Sequence, residues 1–342
     1  MRMKRNRKRQ GKAKGGTGRG IGPSYAHHYD RLGLHISDLT DDNWRETLGN
    51  QYERYQKELA LYDLDLSQLV VPDLEQFKKT GEASVKKIGS KQEFLDRLES
   101  ARTWLVNRDM VQNTFLIQKE IFQDLSRGIV VEMAQAVGLD PWLGTKPDVT
   151  SSNTTMWGIA AGTGFLRPTD IADRIGIFKI TYTSSVGARR MPTHAEDDWA
   201  AWTRETAGEY GTTTKRPRDI LYLDLELLRF NARMGGIEVL AGTHLDIAQE
   251  GKSIKVCTHY ERDGKRVPYQ PGLNYLENVQ PQYIELPGWN GEEAARAKGF
   301  DDLPVNAKKF LSFVQKMTGF PIVAATNGPK RESLLPFPGY DI

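Results

Sequence analysis

The sequence predicts an α/β fold: a mostly parallel central sheet flanked by helices, with a short antiparallel hairpin. Three observations carry this. From residue 128 onward, short apolar runs alternate with polar, glycine-rich loops and amphipathic stretches, the pattern of strands connected through helices. Glycine, hydroxyl and charge are densest where those runs end, which is where open α/β sheets bind ligands. One interruption is antiparallel in character: Ser253 to Glu261 and Lys265 to Gln270 flank Arg262-Asp263-Gly264, a tight-turn signal.

Taken in order, residues 1–14 hold eight of the 47 basic residues and no acid, and read as a disordered basic tail. Residues 15–342 read as a single domain. The stretch 41–63 reads as an amphipathic helix. A longer helix is expected from Ser90 to about Leu125, with Leu95, Leu98, Leu105, Val111, Phe115, Ile117 and Ile121 near helical spacing. Ser90 and Glu93 form a capping-box pattern at its start. Residues 64–89 look irregular. Apolar runs follow at Ile129 to Met133, Gly176 to Tyr182, Gly236 to Ala241 and Pro321 to Ala325, with helices expected at Ile220 to Met234 and Val305 to Met317.

Composition excludes several classes. The 342 residues, 39% hydrophobic and 27% charged, are enough for a sizeable core. No run approaches the roughly 18 consecutive apolar residues of a membrane span. Cys257 is the only cysteine, so disulfide scaffolds and cysteine-ligated metal clusters are ruled out, and a cytoplasmic setting is expected. The net charge of +3 belongs to the tail, because outside it 39 basic residues face 44 acidic ones. That tail could contact nucleic acid through phosphates. No aromatic precedes Tyr25 to stack a base, so a solvated extension is the reading adopted. No phosphate-loop, dinucleotide, nucleophile-elbow or zinc-protease signature occurs.

Five loops remain as candidates for chemistry. Gly15 to Pro23 (GGTGRGIGP) can turn backbone amides toward an anion, with Thr17 and Arg19 as added donors. Val149 to Thr155 (VTSSNTT) offers six hydrogen-bonding side chains in succession. Gly211 to Arg218 (GTTTKRPR) combines three hydroxyls with three cations, a composition suited to phosphates or carboxylates. Gly242-Thr243-His244-Leu245-Asp246 ends a strand with a carboxylate able to accept from a guanine N1–H and 2-amino group. Thr326 to Arg331 (TNGPKR) is another strand-end turn. Each could also be an ordinary solvated turn. His27 and His28 read as solvated, and Met133, Met156 and Met191 as packing residues.

In this order the loops resemble adenylosuccinate synthetase, from about Thr17 to Arg331. The motifs that match are GRGIGPSY with Arg31, AQ…LD, VTSSNTT, SSVGA…PT, EYGTTTKRPR, Leu245-Asp246, LPGW at 286–289 and NGPKR. The resemblance implies a P-loop-NTPase-related fold and a GTP-dependent ligation of L-aspartate to IMP, by way of a 6-phosphoryl intermediate. It implies IMP contacts at Thr17, Gln135, Thr150, Val186 and Arg216, with Arg31 reaching the neighbouring subunit's IMP in a homodimer. Aspartate would meet Thr213, Thr214 and Arg216. GTP would meet Arg218, His244, Asp246, Thr326 and Gly328. Mg²⁺ is the implied cofactor; a membrane is not an implied partner.

The sequence departs from the family in places. The family's GDEGKGK-type loop, with its base aspartate, and its acid histidine have no counterpart before GRGIGP, so the catalytic residues are unknown and the domain reads as shortened at its start. Lys215 replaces a glycine, His244 a lysine, and Arg189-Arg190-Met191 a Gly-Pro-Phe turn. Two alternatives follow: a phage-type relative acting on dGMP, or a non-catalytic or split nucleotide-binding subunit.

Overall fold

A computed structural model describes residues 20–340, apart from Leu125, Arg127, Phe165, 187–189 and 213–214. The expected disordered tail and Thr17 lie outside the described residues. Two compact units divide the chain, one over Pro23–Ile129 and the other over Val130–Ile342.

The Pro23–Ile129 unit is mainly helical. Trp44–Ala60 forms the expected helix, and its Trp44 and Leu48 bury against Leu95. Residues 64–89 are more ordered than their composition suggests. Strands β1 (Val70–Pro72) and β2 (Val85–Lys87) pair antiparallel around a short helix, Leu74–Thr80, that ends at the left-handed Gly81. The capping box forms as read: Ser90 Oγ accepts from Glu93 N at 3.3 Å, and Glu93 accepts from Ser90 N at 2.7 Å.

The single helix expected from Ser90 to Leu125 is instead two, Lys91–Val106 and Thr114–Gln123. Between them Asp109 takes a positive φ of 49°, and Asn113 starts the second helix by accepting from Phe115 N at 3.0 Å. Apolar spacing carried across the gap, but a good N-cap re-nucleated the chain. His27 also departs from expectation. Its Nδ1 lies 3.1 Å from Tyr55 OH and its ring stacks on Tyr55, whereas His28 is exposed.

In the second unit the strands, in chain order, are β3 (Ile175–Lys179), β4 (Tyr182–Ser185), β5 (Asp219–Asp224), β6 (Val239–Thr243), β7 (Ser253–Arg262), β8 (Lys265–Val267), β9 (Gln280–Pro287), β10 (Ile322–Thr326) and β11 (Leu334–Pro336). They form two sheets. One has the order β11-β10-β6-β3, with β3, β6 and β10 parallel and β11 antiparallel at the edge. The other runs β4-β5-β7-β8, with β9 also pairing β7; only β5 and β7 are parallel there. The α/β class stands, while antiparallel pairing extends well beyond the one expected hairpin. That hairpin forms around Asp263 and Gly264, both at positive φ as a two-residue turn requires.

Two element readings change. Ile129 to Met133 is not a strand, and Val130 is 94% exposed, because β-prone residues form strands only where a neighbouring edge accepts them. Ile220 lies in a strand rather than at the start of a helix. β5 occupies 219–224, and Asp224 then caps helix Leu225–Gly235 by accepting from Leu227 N at 3.0 Å. Helix Val305–Thr318 packs Phe310, Leu311 and Val314 into the main core beside Trp289 and Ile322. The three methionines pack as expected: Met191 is buried, Met156 lies against Gly236, and Met133 lies against Gly158.

Candidate active site

Three parallel strands deliver polar residues to one edge. β3 ends at Lys179, β6 runs into His244 and Asp246, and β10 ends at Thr326 before Asn327 and Gly328. The ends are cross-tied. Thr243 Oγ1 donates to Phe178 O at 3.2 Å, and Leu245 N donates to Thr326 O at 3.1 Å. The LPGW motif proves structural: buried Trp289 donates from Nε1 to Leu245 O at 2.8 Å. A Cβ at Gly291 would collide with the Asp246 carbonyl, so this glycine allows the Asp246 turn to sit where it does. Asn327 is buried, its side-chain amide donating to the carbonyls of Ala294, Ala295 and Ala297, which anchors the start of the Gly328 turn.

Beside this edge lies a buried ionic cluster. Glu209 is 1% exposed. Its Oε1 accepts from Lys179 Nζ and, at 2.6 Å, from Tyr182 OH; its Oε2 accepts from Arg218 Nη1 at 2.9 Å. Lys179 also reaches Ser184 Oγ at 2.5 Å, and Tyr182 OH lies 3.0 Å from His244 Nδ1. Burial opposes ionisation of Glu209, but the Lys179 and Tyr182 hydrogen bonds, the Lys179 charge and Arg218 outweigh it, leaving the carboxyl at about 2. Burial lowers the Lys179 pKa, partly offset by Glu209, and burial with the Lys179 charge lowers that of His244. Burial and Glu209 push the Tyr182 phenol up.

The cation-rich loop is closed at its base. Arg218 N donates to Glu209 O at 2.9 Å and Gly211 N to Arg216 O at 2.8 Å, with Arg204 Nε on Arg218 O at 2.9 Å. Lys215 and Arg216 are exposed, and Arg218 Nε is a buried donor with no partner among the described residues. Thr213 and Thr214, the expected aspartate contacts, lie outside the described residues.

A second pair of loops brings Gln135 and Thr150 together. Ser152 Oγ donates to Gln135 Oε1 at 3.2 Å, and Thr150 N donates to Leu139 O at 2.8 Å. Buried Asp140 locks them, accepting from Trp142 N, Leu143 N and Thr154 N. Val186 follows β4 and is 42% exposed. Arg31 belongs to the other unit and is exposed.

Backbone strain marks the same residues. Among the described non-glycine residues seven have positive φ, and Arg31, Gln135 and His244 are three of them, at 62°, 66° and 63°. Such conformations persist where surrounding structure holds them, often at functional sites. Lys215, at 52°, is a fourth, and it stands where the family resemblance places a glycine.

The model for adenylosuccinate synthetase matches residues 2–335. The chain belongs to the adenylosuccinate synthetase family. It is 35% identical to the adenylosuccinate synthetase of Thermobifida fusca over 94% of this chain and 69% of that protein. It is 34% identical to that of Lactobacillus acidophilus over 95% of this chain and 70% of the relative. The solved structure of fully ligated adenylosuccinate synthetase from Plasmodium falciparum matches with a TM-score of 0.81 and 27% identity, covering 97% of this chain and 72% of that one. The family match starts at residue 2, inside the stretch that charge alone set apart as a tail.

Sequence reasoning located the loops but passed over Lys179, Tyr182 and Glu209. The only available signal for Glu209 was its place at the head of EYGTTTKRPR; Lys179 and Tyr182 sit inside or just after an apolar run and read as strand residues. Among the described residues no group of three or more His, Cys, Asp or Glu side chains is arranged to hold a metal ion. No helix among them is long and apolar enough to cross a membrane.

Proposed function

We propose that this chain catalyses a step of purine nucleotide biosynthesis, joining L-aspartate to IMP at the expense of GTP. The observation that carries this reading is the meeting of three parallel strand ends with a cation-rich loop through one buried carboxylate, Glu209. On this reading His244, Asp246, Thr326 and Gly328 would contact the GTP base, and Arg218 would face its phosphates. Asp246 would accept from the guanine N1–H and 2-amino group.

Gln135 and Thr150, with Thr17, Val186 and Arg216, would hold IMP, and Thr213, Thr214 and Arg216 the aspartate carboxylates. Arg31 would serve a neighbouring subunit's IMP in a homodimer. In the reaction the GTP γ-phosphoryl group passes to the IMP O6, leaving GDP. The aspartate amine then bonds to C6 and phosphate departs with the former O6. Arg218 would stabilise charge on the moving phosphoryl group, as fixed cations do in phosphoryl transfer. Glu209 has no part in proton transfer, because its carboxylate is already committed to Lys179, Tyr182 and Arg218. Mg²⁺ would accompany GTP; the described residues form no cage for it, and no step here runs through it. A cytoplasmic setting fits these substrates.

The test is an assay with IMP, L-aspartate, GTP and Mg²⁺, with each omitted in turn. Adenylosuccinate, GDP and phosphate should appear in equal amounts, and only when all are present. Failure to bind either nucleotide by calorimetry, together with no product, would overturn the reading.

A further inference from the structure

A second concave, charged site lies at the other end of β5 from the Glu209–Arg218 cluster. Arg218 precedes that strand and Glu226 follows it, so six extended residues separate them, roughly 20 Å at about 3.3 Å each. The pocket opens between helix Leu225–Gly235 and the edge strand β8. It holds about 450 Å³ and is lined by Glu226, Arg229, Arg233, Arg266, Val267 and Pro268. Arg229 and Arg233 stand four residues apart and share a helix face. Arg229 is 14% exposed and firmly anchored: its Nη1 donates to Met317 O at 2.7 Å, and its Nη2 to Thr258 O at 2.9 Å and to Glu226 Oε1. Glu226 is buried, and its Oε1 also accepts from Arg266 Nη2 at 3.1 Å, so one carboxylate directs two guanidinium groups. Arg233 is exposed, and its guanidinium has no hydrogen bond or ion pair among the described residues. The apolar wall is fixed as well. Val267 pairs with Tyr260 across β7 and β8, and Tyr275 OH donates to Pro268 O at 2.5 Å.

We propose that this pocket binds a phosphomonoester, at a site separate from the proposed catalytic centre. Three guanidinium groups against a single carboxylate leave two positive charges in one concavity. A purely structural ion pair needs no such surplus, because Arg229 with Glu226 already ties the helix to β7 and to the end of helix Val305–Thr318. Cations gathered in a concave wall repel one another, and their combined field attracts an anion. A phosphomonoester carries nearly two negative charges at neutral pH and three acceptor oxygens, which matches the surplus, and guanidinium forks bind such oxygens in pairs. A single carboxylate would cancel only half of it. The volume falls in the range of small-molecule sites and exceeds what a lone phosphate ion fills. Val267 and Pro268 face the remainder of the ester. Within the site Arg229 and Glu226 hold the frame, and Arg233 and Arg266, both exposed, supply the donors. Nothing in this assignment depends on what the strand ends of β3, β6 and β10 bind.

Glucose 6-phosphate is the probe, titrated calorimetrically into the protein with and without excess GTP and IMP. Binding should persist when both nucleotides are present. Arg233→Ala and Arg266→Ala should each weaken it roughly tenfold or more, the worth of a hydrogen bond to a charged group. Both variants should keep the parent melting temperature and GTP affinity, since Glu226 retains Arg229 as its partner. Arg233→Lys should recover part of the lost affinity, because the charge returns without the fork. Glucose should not bind, and inorganic phosphate should bind more weakly than the ester. The proposal fails if the nucleotides displace the probe, if neither alanine variant changes its affinity, or if inorganic phosphate binds as tightly as the ester. It also fails if a single-stranded oligonucleotide binds through the same two arginines more tightly than the ester does, for the pocket would then be a nucleic-acid contact. Absence of GTP binding with the ester site intact would count against the ligase reading and leave this site standing.

Discussion

In the Val130–Ile342 unit a continuous core runs from Phe178 through Trp289 and Phe310 to Phe337, filling the space between a sheet and its helices. Among its described residues the Pro23–Ile129 unit gathers only Trp44, Leu48 and Leu95 into a buried cluster, and it leaves Phe77, Phe115 and Leu116 more than half exposed. The polar chemistry follows the same division. Buried carboxylates with several partners, Glu209, Asp224 and Asp140, all belong to the larger unit, while the charge pairs of the smaller one, such as Arg45 with Asp96 and Glu99, are largely exposed. A deep core gives the rigid strand ends on which a desolvated ionic cluster can be held; a shallow one supports surface pairs that solvent screens.

The sharpest way to break this comparison is truncation. Phe310→Ala should destabilise the protein by about 3–5 kcal/mol, and Leu95→Ala by about 2 kcal/mol because its smaller cluster can collapse; urea melts would show both. Equal losses would mean that the two cores are alike.

Glu209→Gln comes next. It leaves Lys179 and Arg218 facing a neutral amide, at a cost of about 3 kcal/mol near neutral pH. The folded-state carboxyl, at about 2, lies below its ordinary value of 4.5, so its contribution is complete above about 4.5 and is lost as pH falls toward 2. The variant should therefore lose stability less steeply than the parent over that range, and a parallel slope would contradict the ionic cluster.

Asp246→Asn should weaken GTP binding roughly tenfold to a hundredfold, the range for a hydrogen bond to a charged group, with little change in melting temperature. Calorimetry would show it, and an unaltered GTP affinity would remove Asp246 from the base site. Smallest of all, Arg45→Ala should leave the melting temperature nearly unchanged, since its pairs are 40–57% exposed.

The readability of the molecule in its sequence tracked local signals. The capping box at Ser90, the hairpin at Asp263-Gly264 and helix Val305–Thr318 formed as read, because each depends on neighbours within a few residues. The strand-end positions of His244 and Thr326 followed from apolar runs of the right length ending in polar loops. What failed depended on partners far along the chain. Ile129 to Met133 had the composition of a strand but no edge to join, and Ile220 to Asp224 had a helix-like context but was claimed by β4 and β7.

The amino-acid order by itself determined the family, the loops proposed to meet ligands and the alternation of strands with helices, since turns, caps and motif residues are written in short stretches of chain. Only the tertiary structure decided that Glu209, 30 residues from Lys179 and 27 from Tyr182, is the group that ties them to Arg218, and that Tyr182 carries its influence on to His244. Burial made that difference. A carboxylate's partners are set by which side chains meet where water is excluded, and sequence separation carries no information about such a meeting.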